Sequence, residues 1–178
     1  FGMKVRPLGI RRPTAFGGEL LAGHAKVADM MSQEEQADWV HLYLQLGQLV
    51  VAAGRVEFAM GHLARALQRR AGVRVEAGQP TWSQLVKRIR KASKTVCTDQ
   101  VNELLQGVED LGERRNIFIH SSWTTAGLEG HWCNRRPPFK GSPPMMLHYP
   151  AQLLDDDIAR MVKLAADMNA LTQAIRKH

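Results

Sequence analysis

The sequence predicts an all-α chain: an up-and-down four-helix bundle with an irregular or hairpin insertion between its third and fourth helices. Three observations carry this prediction. Apolar residues recur at steps of three and four over separate long stretches, the spacing of a packed helix face. Leu, Ala, Val and Met dominate an apolar fraction of 44%, and aromatics make up only 6%, which favours helices over sheets. Most of the glycine and proline of the second half falls in one block, 121–150, which separates the third helical stretch from the fourth.

At 178 residues the chain has room for one well-formed core. Residues 1–31 read as a basic tail broken by Gly and Pro, carrying Lys4, Arg6, Arg11 and Arg12. A short helix is expected over 19–30, and the tail is either a solvated extension or an arm for a phosphate backbone. The chain opens on Phe1, which places a native start outside it or inside, at Met30 or Met31. Residues 32–178 form the helical domain.

The first helix opens at Ser32, which makes a capping box with Glu35. Its stripe runs Trp39, Leu42, Leu46, Leu49, Ala53, Val56, Met60, Leu63 and Leu67, and Gly72 is its stop. A straight helix of about forty residues would span about 60 Å, so a bend is expected near Gly47 or Gly54. Glu57 lies beside the stripe, as a surface acid or as the partner of a basic active-site group.

The second helix repeats the capping signature at Thr81 and Gln84 and turns Trp82, Leu85, Val86 and Ile89 inward. Lys87, Arg88, Arg90, Lys91 and Lys94 form a basic patch. A charge run is ordinarily a solvated face, but the net charge of +7 favours polyanions, RNA or DNA first. The patch is therefore a candidate nucleic-acid contact.

Thr98 or Asp99 caps the third helix. Its stripe is Val101, Leu104, Leu105, Val108 and Leu111, resumed by Phe118 and Ile119. Four residues after Leu111, where the pattern asks for an apolar residue, stands Arg115. A guanidinium in an apolar seam costs several kcal/mol unless it is paired. Asn116 follows it, and His120 shares a face with Asn116. A polar trio breaking the core-facing side of the strongest helix marks a functional site.

In the insertion, SSWTT, HWCNRR and MMLHY read as strands or extended pieces, with a hairpin turning at 127–130. It lies next in sequence to the trio and is placed to cover the site or help bind substrate. His131, Cys133 and His148 hint at a metal, but their spacing matches no known ligand set, so neither metal nor cofactor is expected. The last helix follows Asp155, Asp156 and Asp157, whose charges suit a helix start. Its stripe is Leu154, Ile158, Met161, Ala165, Met168, Leu171 and Ile175. Two cysteines, Cys97 and Cys133, make no disulfide framework, so a reducing cytoplasm is the expected setting. No apolar run reaches the roughly 18 residues that a membrane span needs, and no secretory signal is evident.

The run Arg115-Asn116-Ile117-Phe118-Ile119-His120 resembles the R-X4-6-H motif of HEPN domains, in the form with Asn directly after Arg. The long first helix, the Thr81-x-x-Gln84-Leu85 opening, the motif near the end of a third helix and the closing amphipathic helix are similar to that family over residues 32–178. The resemblance implies a metal-independent endoribonuclease, toxin-like or defence-like, acting as a homodimer whose two motifs meet in a cleft. In it His120 moves the proton, Arg115 stabilises charge on the phosphate, and Asn116 orients the imidazole or donates to an oxygen. A cognate antitoxin or regulatory protein is a further partner it implies. The competing expectation is a non-catalytic dimeric helical module that binds nucleic acid or a partner protein.

Overall fold

The computed structural model describes residues 32–75, 78–94, 96, 98–125, 130–135 and 145–177. The tail with its expected helix over 19–30, the turn at 127–129 and Cys97 lie outside the described residues. The chain divides into two compact units, 1–37 and 38–178. In the first, Ser32 and Glu35 close the expected capping box: Glu35 N–H donates to Ser32 Oγ at 3.2 Å, and Ser32 N–H donates to Glu35 Oε2 at 2.8 Å.

Among the described residues four helices carry the fold: α1 (Gln33–Arg70), α2 (Trp82–Ser93), α3 (Thr98–His120) and α4 (Ala151–Lys177). α1 is assigned as one unbroken helix through Gly47 and Gly54. It stops as its sequence dictates. Gly72 takes φ +66, Val73 N–H reaches back to Gln68 O at 2.8 Å, and Gly72 N–H reaches Arg69 O at 3.1 Å. Those two bonds make a Schellman motif, which needs a residue tolerant of positive φ. The Thr81–Gln84 capping box starts α2. Thr98 and Asp99, the expected caps, both lie within α3.

The segment between α3 and α4 is more regular than an insertion in an all-α bundle. β1 (Ser121–Thr125), β2 (Gly130–Arg135) and β3 (Met145–Pro150) form an antiparallel meander in that order. Among the described residues the fold is therefore mostly helical, with four helices and a small sheet, not purely α. α3 runs straight into β1 and β3 straight into α4. Alternation sets the strand faces. His131 and Cys133 of β2 are buried and Trp132 and Asn134 exposed. Cys133 stands between Trp123 and Leu147 in register, and His131 opposite Tyr149. At Gly130, φ is +151 and a Cβ would collide with the Tyr149 carbonyl, so only glycine fits.

The core gathers Leu49, Val56, Met60, Leu63 and Leu67 from α1, Leu85 and Ile89 from α2, Val101, Leu105, Val108 and Leu111 from α3, and Leu154, Met161 and Met168 from α4. Phe118, Trp123 and Tyr149 pack with ring centroids 5.0–5.8 Å apart, fixing the end of α3 to the sheet. Trp123 Nε1–H also donates to Phe118 O at 3.0 Å, satisfying one of the carbonyls a helix C-terminus leaves unpaired. Two expectations need correction. Ile117, not Ile119, joins Phe118 in the core, and Ile119 is exposed. The aspartates do not precede the last helix. α4 starts at Ala151, and Asp157 lies in its second turn, fully buried.

Candidate functional site

Helical geometry puts positions three and four beyond Leu111 on either flank of the stripe. Arg114 and Arg115 occupy them, and their surroundings differ. Arg114 faces α4. Its Nη1 donates to both carboxylate oxygens of Asp157, at 3.1 and 3.0 Å. The bond to Asp157 holds the Arg114 guanidinium above its usual value. Arg160 donates to the same carboxylate at 3.4 Å and to Asp110 at 2.7 Å, and this second bond keeps Asp110 below the ordinary carboxylate range. A buried carboxylate needs such partners.

Arg115 faces α2. Its Cζ lies 5.9 Å from the centroid of the Trp82 ring, within reach of a cation–π contact. Nη1 donates to Asn116 Oδ1 at 3.2 Å. Its Nε is buried and has no hydrogen-bond partner, and the same holds for Trp82 Nε1. The indole lies against Gly112, where a Cβ would come within 2.7 Å of Nε1. The glycine is therefore what lets Trp82 slide beneath Arg115.

The expected polar trio on the core-facing side is corrected. Arg115 is partly buried at the edge of the seam, while Asn116 and His120 are exposed. By its spacing from Leu111, His120 points to the outer face of α3. Arg115 and Asn116 are in contact; no bond joins either to His120 among the described residues. Glu57 is partly buried on α1 and forms no ion pair among the described residues. Of the α2 cations, Lys87, Arg90, Lys91 and Lys94 are exposed and Arg88 is partly buried. Arg90 is tied to Glu109 at 2.9 Å, which removes one charge from the patch.

Two polar arrangements escaped the sequence reading. One is the Arg114–Asp157 pair. The other joins α1, β2 and α4: Gln45 Nε2 donates to Ala151 O and Asp155 Oδ1, and its Oε1 lies 3.1 Å from His131 Nε2. An amide oxygen only accepts, so His131 carries its proton on Nε2, leaving Nδ1 buried without a partner. Burial first, then the neighbouring His41, pushes the His131 pKa below its ordinary value, with Asp38 opposing and His148 adding to the fall. Gln45 is a polar residue on the buried side of α1, and that was its only signal. Among the described residues no group of three or more His, Cys, Asp or Glu side chains is placed to hold a metal, and no helix is long and apolar enough to cross a membrane.

No protein-family model, no curated protein and no solved structure matches this chain.

Proposed function

We propose that this chain is a HEPN-like, metal-independent endoribonuclease that works as a homodimer. The observation that carries the reading is the state of Arg115. Arg114 and Arg160 are each committed to carboxylates; Arg115 rests on an indole and an amide and has no ion pair among the described residues. A guanidinium positioned without a carboxylate keeps its charge for a phosphate. RNA supplies its own nucleophile. In the proposed step, His120 takes the proton of a 2′-hydroxyl, whose oxygen attacks the adjacent phosphorus. The bond to the 5′-oxygen breaks, and that oxygen takes a proton from the imidazolium of the second copy. The products are a 2′,3′-cyclic phosphate and a 5′-hydroxyl end. Arg115 offsets charge on the phosphate oxygens as it builds.

The test is incubation of the full chain with structured and single-stranded RNA in EDTA. Cleavage with cyclic-phosphate ends is expected, falling by about 100-fold or more in His120→Ala and in Arg115→Met. RNA left intact by the wild-type chain overturns the proposal. The exposed lysines of α2 favour a second reading, an RNA-binding module that does not cut. Binding would then survive His120→Ala and weaken when Lys87, Arg88 and Lys91 are neutralised together.

A further inference from the structure

α1 has a second apolar face. The core side carries Leu42, Leu49, Val56, Met60 and Leu67. On the opposite side of the helix, recurring at steps of three and four, stand Tyr43, Gly47, Val50, Val51, Gly54 and Phe58. All six are exposed, Tyr43 at 64% and Phe58 at 67%. Between Trp39 and Gly61 the helix carries only two formal charges, Arg55 and Glu57. A helix that is apolar on both sides belongs inside an assembly, not at a water boundary.

Three pairs of residues on the exposed face match about the Val50–Val51 bond, although Leu44 mirrors Glu57 and Val40 mirrors Gly61. Val50 mirrors Val51, Gly47 mirrors Gly54, and the aromatic Tyr43 mirrors the aromatic Phe58. The symmetry reaches one turn further. Trp39 packs on Tyr43 with centroids 5.5 Å apart, and its mirror position, His62, packs on Phe58 at 4.4 Å. In a two-fold antiparallel pairing residue i of one copy meets residue j of the other and j meets i, so this pattern would set glycine against glycine and aromatic against aromatic.

The glycines supply a separate argument. A Cβ built at Gly47 or at Gly54 meets nothing within 4 Å, so nothing among the described residues requires glycine there. Each one weakens the helix relative to alanine. Such a position makes sense where another backbone comes close. The two aromatic rings alone would withdraw roughly 200–300 Å² per chain from water. Val40, Leu44, Val50 and Val51, each more than half exposed, extend the patch toward the roughly 800 Å² per partner of a standard interface.

We infer that a second copy of this chain docks on this face, its α1 antiparallel to the first, with the two-fold axis passing between Val50 and Val51. Gly47 of one copy then lies against Gly54 of the other, and Tyr43 against Phe58. The surface is on α1, whereas Arg115 faces α2, so this contact is distinct from the one that would bring the second copy's imidazolium to the site, and the inference does not rest on RNA cleavage. A dimer in this register with no ribonuclease activity upholds it and counts against the enzyme reading alone.

Sedimentation equilibrium of the full chain tests it, together with disulfide trapping. The wild-type chain is expected to be a dimer. Val51→Lys, which puts two like charges beside the axis, is expected to weaken self-association by about 100-fold. Gly47→Leu and Gly54→Leu should weaken it as well, with no fall in helix content, because each side chain enters open space in the single chain. Chains carrying Gly47→Cys mixed with chains carrying Gly54→Cys should form a disulfide-linked dimer under mild oxidation, beyond what the parent chain gives. Neither variant alone should do so. A wild-type monomer overturns the inference, as does a dimer unmoved by all three substitutions. Trapping of Gly47→Cys with itself overturns it too, since that requires parallel helices.

Discussion

Arg114 and Arg115 are neighbours in sequence on the flanks of the same apolar seam, and they have opposite fates. Arg114 holds a carboxylate that is fully buried and shares it with Arg160. Among the described residues Arg115 lies over Trp82 and is bonded only to the amide of Asn116, with its Nε buried and unbonded. The first arrangement is what a folded core needs in order to keep an ion inside it. The second leaves a charge positioned but unspent. A cation beside a core is thus informative only once its partners are known.

Several experiments test this contrast. The largest effect is expected from Arg114→Met, which removes the closest partner of a buried carboxylate. It should cost about 3 kcal/mol, near the low end of the range for breaking a buried pair, because Arg160 remains; thermal or denaturant unfolding reads this directly. A loss no larger than that of an exposed substitution would show that the Asp157 contact contributes little. Gly112→Ala comes next. Its methyl would press on the rigid indole of Trp82 and should cost about 1–3 kcal/mol through overpacking, measured by the same unfolding curves. Arg115→Met, in contrast, should change stability by less than about 1 kcal/mol, the scale of one partly exposed cation–π contact. If it destabilises as much as Arg114→Met, the two residues play the same structural part and the distinction fails.

Acid titration gives the smallest effect and separates both arginines from the sheet. The His131 pKa is depressed below the ordinary 6.5, so near that pH the unfolded chain takes up the proton before the folded one does. Stability is then complete above 6.5 and falls as the pH drops below it. Asp110 stays ionised until below its ordinary 3.8, so the Arg160–Asp110 link cannot cause a loss in mildly acidic solution. A stability profile flat through this range in wild type, or an unchanged slope in His131→Gln, would remove His131 as the origin.

Much of the fold was legible in local rules. The two capping boxes, the Gly72 stop, the helical stripes and the three strand segments each follow from a few adjacent residues, and local chemistry decides them. What the sequence hid depends on pairs far apart in the chain. Asp157 looked like a helix-start acid because its partner, Arg114, is 43 residues away. Ile117 and Ile119 both fit the end of α3, and only the sheet, by packing Phe118 against Trp123 and Tyr149, decides which of them is covered. The candidate site was half legible. Arg115 does interrupt the stripe, but periodicity could not tell a cation at the edge of a seam from one at its centre. Asn116 and His120 came out on the exposed side.

The thiol of Cys133 sits in the middle strand of the meander and is wholly shielded from solvent. A bulky alkylating reagent can reach it only when that strand parts from its neighbours. The rate at which the peptide containing Cys133 becomes labelled would therefore time the breathing of the sheet, with no probe added to the chain. Set beside the global unfolding rate, it would tell whether the meander opens alone or only when the helices come apart.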